Sequence, residues 1–82
     1  MKKNQIINGH REGYWEEYYP KSGNLFYRGN YINGTEEGYW EDYYANGQLW
    51  RKGNYKNGTE EGFWQFYDKK GRLILNEYNL VD

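Results

Sequence analysis

Carboxylates are the side chains of this sequence that could most readily do chemistry. They recur as adjacent pairs, of which Glu36 and Glu37 are one example. Two neighbouring carboxyl groups can act as general acid and general base when their environments drive their pKa values apart. These pairs fall in segments that we predict to be exposed connectors, where nothing would separate the two pKa values. We therefore expect no acid–base catalysis.

The other residues that could react or bind a metal are few. His10 is the single histidine and lies in a predicted connector, Ser22 has no base close to it in the sequence, and the chain has no cysteine. No segment has the aspartate-rich spacing of an EF-hand calcium loop. The sequence thus predicts a protein that is not an enzyme, with no catalytic residue, no metal and no cofactor.

Composition also narrows the class of partner. The formal net charge of the 82 residues is −1, which gives no general attraction to nucleic acid or to an acidic membrane. No apolar run reaches the roughly 20 residues of a membrane-spanning helix, and none follows the first lysines as in a secretory signal. We therefore expect a soluble, cytoplasmic protein, and the composition favours neither nucleic acid nor a membrane as its partner.

A repeated segment dominates the chain. Gly13, Gly38 and Gly62 are separated by 25 and then 24 residues, and the same steps relate Trp15, Trp40 and Trp64. Repeats of this length indicate arrays in which each unit buries its surface against its neighbours. We divide the single repeat domain into a partial cap at 1–7, repeat one at 8–32, repeat two at 33–56, and repeat three with a C-terminal cap at 57–82.

Each repeat has the composition of two short strands and a turn. Aromatic residues make up 22% of the chain, and rings suit a pleated surface and can supply a core where aliphatic residues are scarce. Strands such as "GYWEDYY" and "LWRKGNY" flank turn segments such as "ANGQ", and "NGTEEG" connects one hairpin to the next. The glycines inside the return strands, Gly29 and Gly53, indicate a bulge, a bend or a close backbone approach. We predict an all-β fold, a single-layer array of antiparallel β-hairpins.

The repeat follows the pattern G-x-W-x-x-Y, then Gly-x-Leu, then Gly-x-Tyr, carried in repeat one by Gly13, Tyr14, Trp15, Tyr18, Gly23, Leu25, Gly29 and Tyr31. This pattern resembles the MORN repeat, and most closely its bacterial variant in proteins described as toxin–antitoxin components. The resemblance covers about residues 6–78 and departs at Glu77, where the family has glycine. It implies a single-layer hairpin array, with protein scaffolding, lipid binding or an antitoxin role as functions.

Alternation of strand side chains places rings and acids on both faces of the predicted sheet. We therefore expect a thin sheet that is wetted on both sides. Acids concentrate on the first strand of each hairpin and bases on the return strand and turn. Two interpretations stay open: acids and bases pair across each hairpin, or an acidic, ring-rich stripe docks a basic protein surface.

The second interpretation gives a predicted partner-binding site. Trp50 is included because Phe26 and Ile74 occupy its position in the other units. The predicted site residues are Tyr14, Glu16, Tyr18, Tyr39, Glu41, Tyr43, Trp50 and Tyr67. The predicted function is a non-enzymatic protein-binding module, such as an antitoxin, immunity protein or small inhibitor that blocks a basic site. The alternatives are a self-assembling scaffold that forms homo-oligomers through its sheet ends, or a module that contacts a lipid surface.

Overall fold

The computed structural model describes residues 2–80, and this part of the chain contains seven strands and no helix. The strands are β1 (Gln5–Ile7), β2 (His10–Tyr18), β3 (Leu25–Ile32), β4 (Thr35–Tyr43), β5 (Leu49–Lys56), β6 (Thr59–Tyr67) and β7 (Leu73–Asn79). Each strand pairs antiparallel with the next, so that one open sheet runs from β1 to β7 in chain order. The all-β, single-layer hairpin array is therefore confirmed. Residues 2–80 hold no helix that is long and apolar enough to cross a membrane.

Two-residue Asn-Gly turns join β1 to β2, β3 to β4 and β5 to β6. In the second of them, Asn33 and Gly34 have φ values of 50° and 80°. Positive φ at both positions is the type I′ geometry, whose twist matches that of the two strands it joins. The predicted connectors are therefore wrong, because pairing resumes at Thr35 and both Glu36 and Glu37 lie in β4.

His10 was predicted in a connector for the same reason, and it is instead the first residue of β2. The longer loops, at residues 19–24, 44–48 and 68–72, are the turn segments that the sequence indicates. Each is closed by backbone hydrogen bonds, such as the one from the Tyr44 amide to the Gln48 carbonyl at 2.8 Å. The alternation of tight turns and longer loops makes a continuous meander.

A row of indole rings forms the core on one face of the sheet. Trp15, Trp40 and Trp64 are 6%, 4% and 0% exposed. The ring of Trp40 lies flat on Gly29, where a Cβ atom would stand 2.1 Å from the ring, and Trp64 lies on Gly53 at 2.3 Å in the same sense. The close approach predicted for these two glycines is confirmed.

Neighbouring rings on the same face complete the burial of each tryptophan. Tyr31 meets Trp40 edge-to-face with ring centroids 5.0 Å apart, and Tyr55 meets Trp64 at 4.9 Å. Each indole N–H donates to a carbonyl ten residues earlier in the chain, those of Gln5, Asn30 and Asn54. The expectation of a sheet wetted equally on both sides is thus wrong, because glycine leaves room for a ring to lie against the backbone.

Candidate functional site

The predicted site residues fall on two different faces. Tyr14, Glu16, Tyr18, Tyr39, Glu41, Tyr43 and Tyr67 share the surface that we call the tyrosine face, together with Phe63 and Gln65. Trp50 lines a groove beside Trp40 and Arg51, on the opposite surface, which we call the tryptophan face. The structure therefore brings seven of the predicted residues together and separates Trp50 from them.

A carboxylate held between two tyrosines is the repeating unit of the tyrosine face. Glu41 accepts hydrogen bonds from the hydroxyls of Tyr39 at 2.8 Å and Tyr43 at 2.6 Å, and from Nε of Arg28 at 2.6 Å. The tyrosines and the glutamate alternate along one strand, so their side chains emerge on the same side. This spacing explains why Tyr-x-Glu-x-Tyr recurs in the sequence.

Repeat one contains the same arrangement around Glu16. Its carboxylate accepts from the hydroxyl of Tyr14 at 2.8 Å, from the hydroxyl of Tyr18, and from Nζ of Lys3 at 2.7 Å. Lys3 stands here where Arg28 stands in repeat two. The two glutamates of the predicted site are therefore already paired with cations of the same chain.

Repeat three has a neutral version of this unit. Phe63 replaces the first tyrosine and Gln65 replaces the glutamate. Gln65 accepts a hydrogen bond of 3.4 Å from the Tyr67 hydroxyl, and its amide donates to the side chain of Asn76 at 3.3 Å. The tyrosine face thus changes from charged to neutral along the array.

Charges on the tyrosine face alternate from strand to strand. Strand register places Glu16 opposite Arg28, Arg28 opposite Glu41, Glu41 opposite Lys52, and Lys52 opposite Gln65. The contact between Arg28 and Glu41 is an ion pair of 2.5 Å. These contacts agree with cross-strand pairing, the first of the two interpretations, and leave no continuous acidic stripe on this face.

We call each glutamate with its two tyrosines a triad: Tyr14, Glu16 and Tyr18 in repeat one, and Tyr39, Glu41 and Tyr43 in repeat two. Burial and hydrogen bonds shift pKa values within these triads. Hydrogen bonds from Lys3, Tyr18 and Tyr14 lower the pKa of Glu16 to about 2. Burial, reinforced by the hydrogen bond to Glu41, raises the pKa of Tyr43 to about 12. Both shifts move away from neutrality, so at neutral pH the carboxylate is charged and the hydroxyls stay protonated. The triads fix charge and geometry and hold no proton poised for transfer.

The tyrosine face carries exposed aromatic rings with shallow grooves between them. Tyr39, Phe63 and Tyr78 are 49%, 69% and 58% exposed, and the rings of Phe63 and Tyr78 pack edge-to-face at 4.6 Å. A groove of about 400 Å³ lies between Tyr14 and Tyr39. A larger one, of about 720 Å³, lies against Phe63. Exposed ring edges therefore project beside grooves that are partly lined by polar residues.

Sequence reasoning missed two arginines on the tryptophan face. The guanidinium of Arg11 lies over the ring of Trp15, with Cζ 4.4 Å from the centroid, and Arg51 lies 5.2 Å from that of Trp64. Arg11 is four residues before Trp15 on β2. Arg51 pairs with Phe66 on β6, two residues from Trp64, and only the strand register reveals that proximity. Three or more metal-ligating side chains do not come together anywhere in residues 2–80.

The function of the chain has to be inferred from its own residues. No family model, curated protein or solved structure matches the chain.

Proposed function

We propose that this chain is a non-enzymatic protein-binding module whose tyrosine face contacts the partner. The observation that carries this proposal is the row of exposed rings at Tyr39, Phe63 and Tyr78. Exposed aromatic rings above polar groups are typical of interface anchors. Phe63 and Tyr78 pack against each other, and exposed rings of this kind on a sheet surface favour binding over a purely structural role.

Ring contacts are expected to contribute more to affinity than charge. Glu16 and Glu41 already pair with Lys3 and Arg28, so a basic partner would have to displace those cations. The antitoxin, immunity or inhibitor role and the membership of the MORN family stay proposals that rest on the sequence resemblance. A cytoplasmic location stays a prediction.

Capture of partners from the native lysate tests the proposal. The tagged chain would be incubated with nuclease-treated lysate, and bound proteins would be identified by mass spectrometry. We expect one stoichiometric partner that is lost with the double change Tyr39→Ala and Phe63→Ala. The control is Ile74→Ala, which removes a side chain that is 62% exposed and lies outside this row. Equal loss in the control, or binding that survives the double change, would contradict a role for the tyrosine face.

A self-assembling scaffold is a second candidate, favoured by the exposed surface of β7. Among residues 2–80, β7 pairs only with β6, and Ile74, Leu75 and Leu80 are 62%, 50% and 84% exposed. Apolar side chains on an unpaired strand edge favour pairing with another chain. Light scattering that grows with concentration and is abolished by Leu75→Lys would support assembly, and constant scattering at every concentration would exclude it.

The lipid-contact alternative receives less support from the structure. It depends on Trp50 standing beside a basic pair, Arg51 and Lys52. Arg51 is bound to Asp42 at 2.5 Å and to Glu60 at 3.2 Å, so its charge is compensated within the chain. One lysine is a weak attraction for an anionic surface.

A further inference from the structure

Two of the three repeat tryptophans carry an arginine of this chain. Cζ of Arg11 lies 4.4 Å from the centroid of Trp15, and Cζ of Arg51 lies 5.2 Å from that of Trp64. A guanidinium over an indole is attracted by the negative face of the ring. The tryptophan face therefore already accepts arginine at two of its three repeats.

Hydroxyls and carboxylates hold these guanidinium groups in place. Arg11 donates to the hydroxyl of Tyr27 at 2.7 Å, whereas Arg51 pairs with Asp42 at 2.5 Å and with Glu60 at 3.2 Å. The planar guanidinium suits such sites because it can stack on a ring and donate at its edges at the same time. Arg11 and Arg51 thus show that the tryptophan face can bind a guanidinium through a ring together with a hydroxyl or a carboxylate.

The ring of Trp40, unlike those of Trp15 and Trp64, carries no arginine within residues 2–80. The equivalent of Arg11 in repeat two is Glu36, and the equivalent of Arg51 in the preceding repeat is Tyr27. None of the cation–ring contacts within residues 2–80 involves Trp40. A groove of about 230 Å³ lies there instead, and it is lined by the rings of Tyr27, Tyr55 and Trp50 and by Arg51, whose Cζ lies 4.8 Å from the centroid of Trp50.

The charge of this groove favours a cation. Glu36 lines it and makes no hydrogen bond or ion pair with another side chain of residues 2–80, while Asp42 and Glu60 share the single guanidinium of Arg51. Burial raises the pKa of Asp42 above its ordinary value even though Arg51 opposes the shift, and the charge of Glu36 adds to it. Two carboxylates, those of Glu36 and Asp42, and one guanidinium, that of Arg51, therefore line the groove, which leaves an excess of negative charge.

We propose that this groove takes an arginine side chain of a partner protein, which pairs with Glu36 and lies against the surrounding rings. Trp40 is only 4% exposed and Arg51 already lies over Trp50, so the partner's guanidinium meets the rings of Tyr27 and Tyr55. The proposal adds a second surface to the protein-binding function proposed above and rests on that function.

Titration with a short peptide tests the groove directly. The probe is a blocked Gly-Arg-Gly peptide, and its match is the same peptide with citrulline, which keeps the shape of arginine without the charge. Nitrogen–proton spectra of the full chain would follow the amide of Glu36 and the indole signal of Trp50. We expect both signals to move with the arginine peptide, and affinity to fall about two- to five-fold with citrulline, the size of an exposed cation–ring contact or ion pair.

Variants separate Glu36 from general charge. Glu36→Gln should weaken arginine-peptide binding by about two- to five-fold. Glu61→Gln is the control, since it removes the same charge from a residue that lines the groove beside Phe63 and has no hydrogen bond within residues 2–80. Glu36→Arg should abolish binding, because its own guanidinium would fill the groove as that of Arg11 does in repeat one.

Three results would overturn the inference: no shift with the arginine peptide, equal shifts with citrulline, or equal weakening by Glu61→Gln and Glu36→Gln. The outcome is distinguishable from that of the lysate experiment. If a captured partner depends on Tyr39 and Phe63 but the arginine peptide shifts no signal of the groove, the protein-binding function stands and the arginine site is rejected. If the lysate experiment fails but the arginine peptide shifts the groove signals, the tyrosine face is rejected as a binding surface and the groove is retained.

Discussion

At the scale of single residues, the pairing of a glycine with a tryptophan decides which face becomes the core. Gly53 leaves open the space into which the indole of Trp64 fits, and Trp64 is fully buried as a result. Any side chain at Gly53 would push this ring off the strand, because protein interiors leave no spare volume for it. Because Gly53 has no Cβ atom, the large side chain of Trp64 can lie against the backbone and be buried.

Gly53→Ala should therefore lower the free energy of unfolding by about 1–3 kcal/mol or more, the usual cost of overpacking. The added Cβ would stand 2.3 Å from the ring of Trp64, and the ring has no free space into which it could move. Asn54→Ala is the control, since the Asn54 side chain is exposed and its change should stay within about 0.5 kcal/mol. Denaturant unfolding of the two variants gives both values, and equal stability of the two would show that the ring relocates at little cost.

The buried tyrosines predict how stability changes at high pH. Burial raises the pKa of Tyr31 to about 12, and burial with the Glu41 hydrogen bond raises that of Tyr43 to about 12, from an ordinary value of 10.0. The folded state holds these protons more tightly than the unfolded chain, so their contribution is complete below pH 10 and is lost as pH rises towards 12. Denaturant unfolding across this range should show falling stability, with a smaller slope in Tyr43→Phe. An unchanged slope in that variant would contradict the assignment.

Residue types alone could predict part of this scale. Gly29 and Gly53 stand inside strand-like segments, and glycine there indicates close approach, which the structure confirms. The asymmetry of the two faces could not be predicted, because it depends on which tryptophan lies over which glycine across the pairing. The pairing of Glu41 with Arg28 was an open alternative for the same reason: it requires the register between β3 and β4.

At the scale of elements, hydrogen bonds that cross from one hairpin to the next repeat with the sequence. The backbone amide of Asn33 donates to a carboxylate oxygen of Glu12 at 2.8 Å, and that of Asn57 donates to Glu37 at 2.9 Å. Each bond ties an Asn-Gly turn to the first strand of the preceding hairpin. Glu12 and Glu37, which occupy equivalent positions in successive repeats, are therefore structural hydrogen-bond acceptors.

Glu37→Ala should destabilise the fold by about 0.5–1.5 kcal/mol, the usual net contribution of one hydrogen bond. The Asn57 amide would lose its carboxylate acceptor, and the turn before β6 would keep only the backbone hydrogen bond from the Gly58 amide to the Glu36 carbonyl as its tie to β4. The equivalent change Glu61→Ala is the control, because Glu61 accepts no such hydrogen bond within residues 2–80. Thermal unfolding of the pair provides the measurement, and matched losses would indicate an effect of charge rather than of the turn.

The hairpins themselves were predictable from aromatic strands and Gly-containing turns, and the strands β2 to β6 lie where those patterns indicate. The connectors were not, although Asn-Gly is a strong hairpin signal. The two glutamates that follow the threonine after the turn have weak strand preference, and they pair because the type I′ turn aligns them with the preceding strand. Tertiary alignment outweighs local preference at these residues.

At the scale of the whole molecule, each strand of residues 2–80 pairs by hydrogen bonds only with its neighbours in the sequence, in the order β1 to β7. No layer covers either face within residues 2–80, so stability accumulates from one interface to the next as in other repeat arrays. The central strand β4 has a partner on both sides and carries Trp40, which packs against Tyr27, Tyr31 and Tyr55. The outer strands β1 and β7 are almost wholly exposed.

This arrangement predicts a gradient of protection against amide hydrogen exchange. Amides of β4 should exchange most slowly, because their opening breaks interfaces on both sides, and those of β1 and β7 should exchange first through local opening. Within β4 the comparison excludes amides that have no strand partner around the Gly38 irregularity, where the register between β3 and β4 shifts. Nuclear magnetic resonance under native conditions measures each amide separately. Equal protection in all seven strands would show that the array opens only as one cooperative unit, in which the loss of either end would unfold the whole sheet.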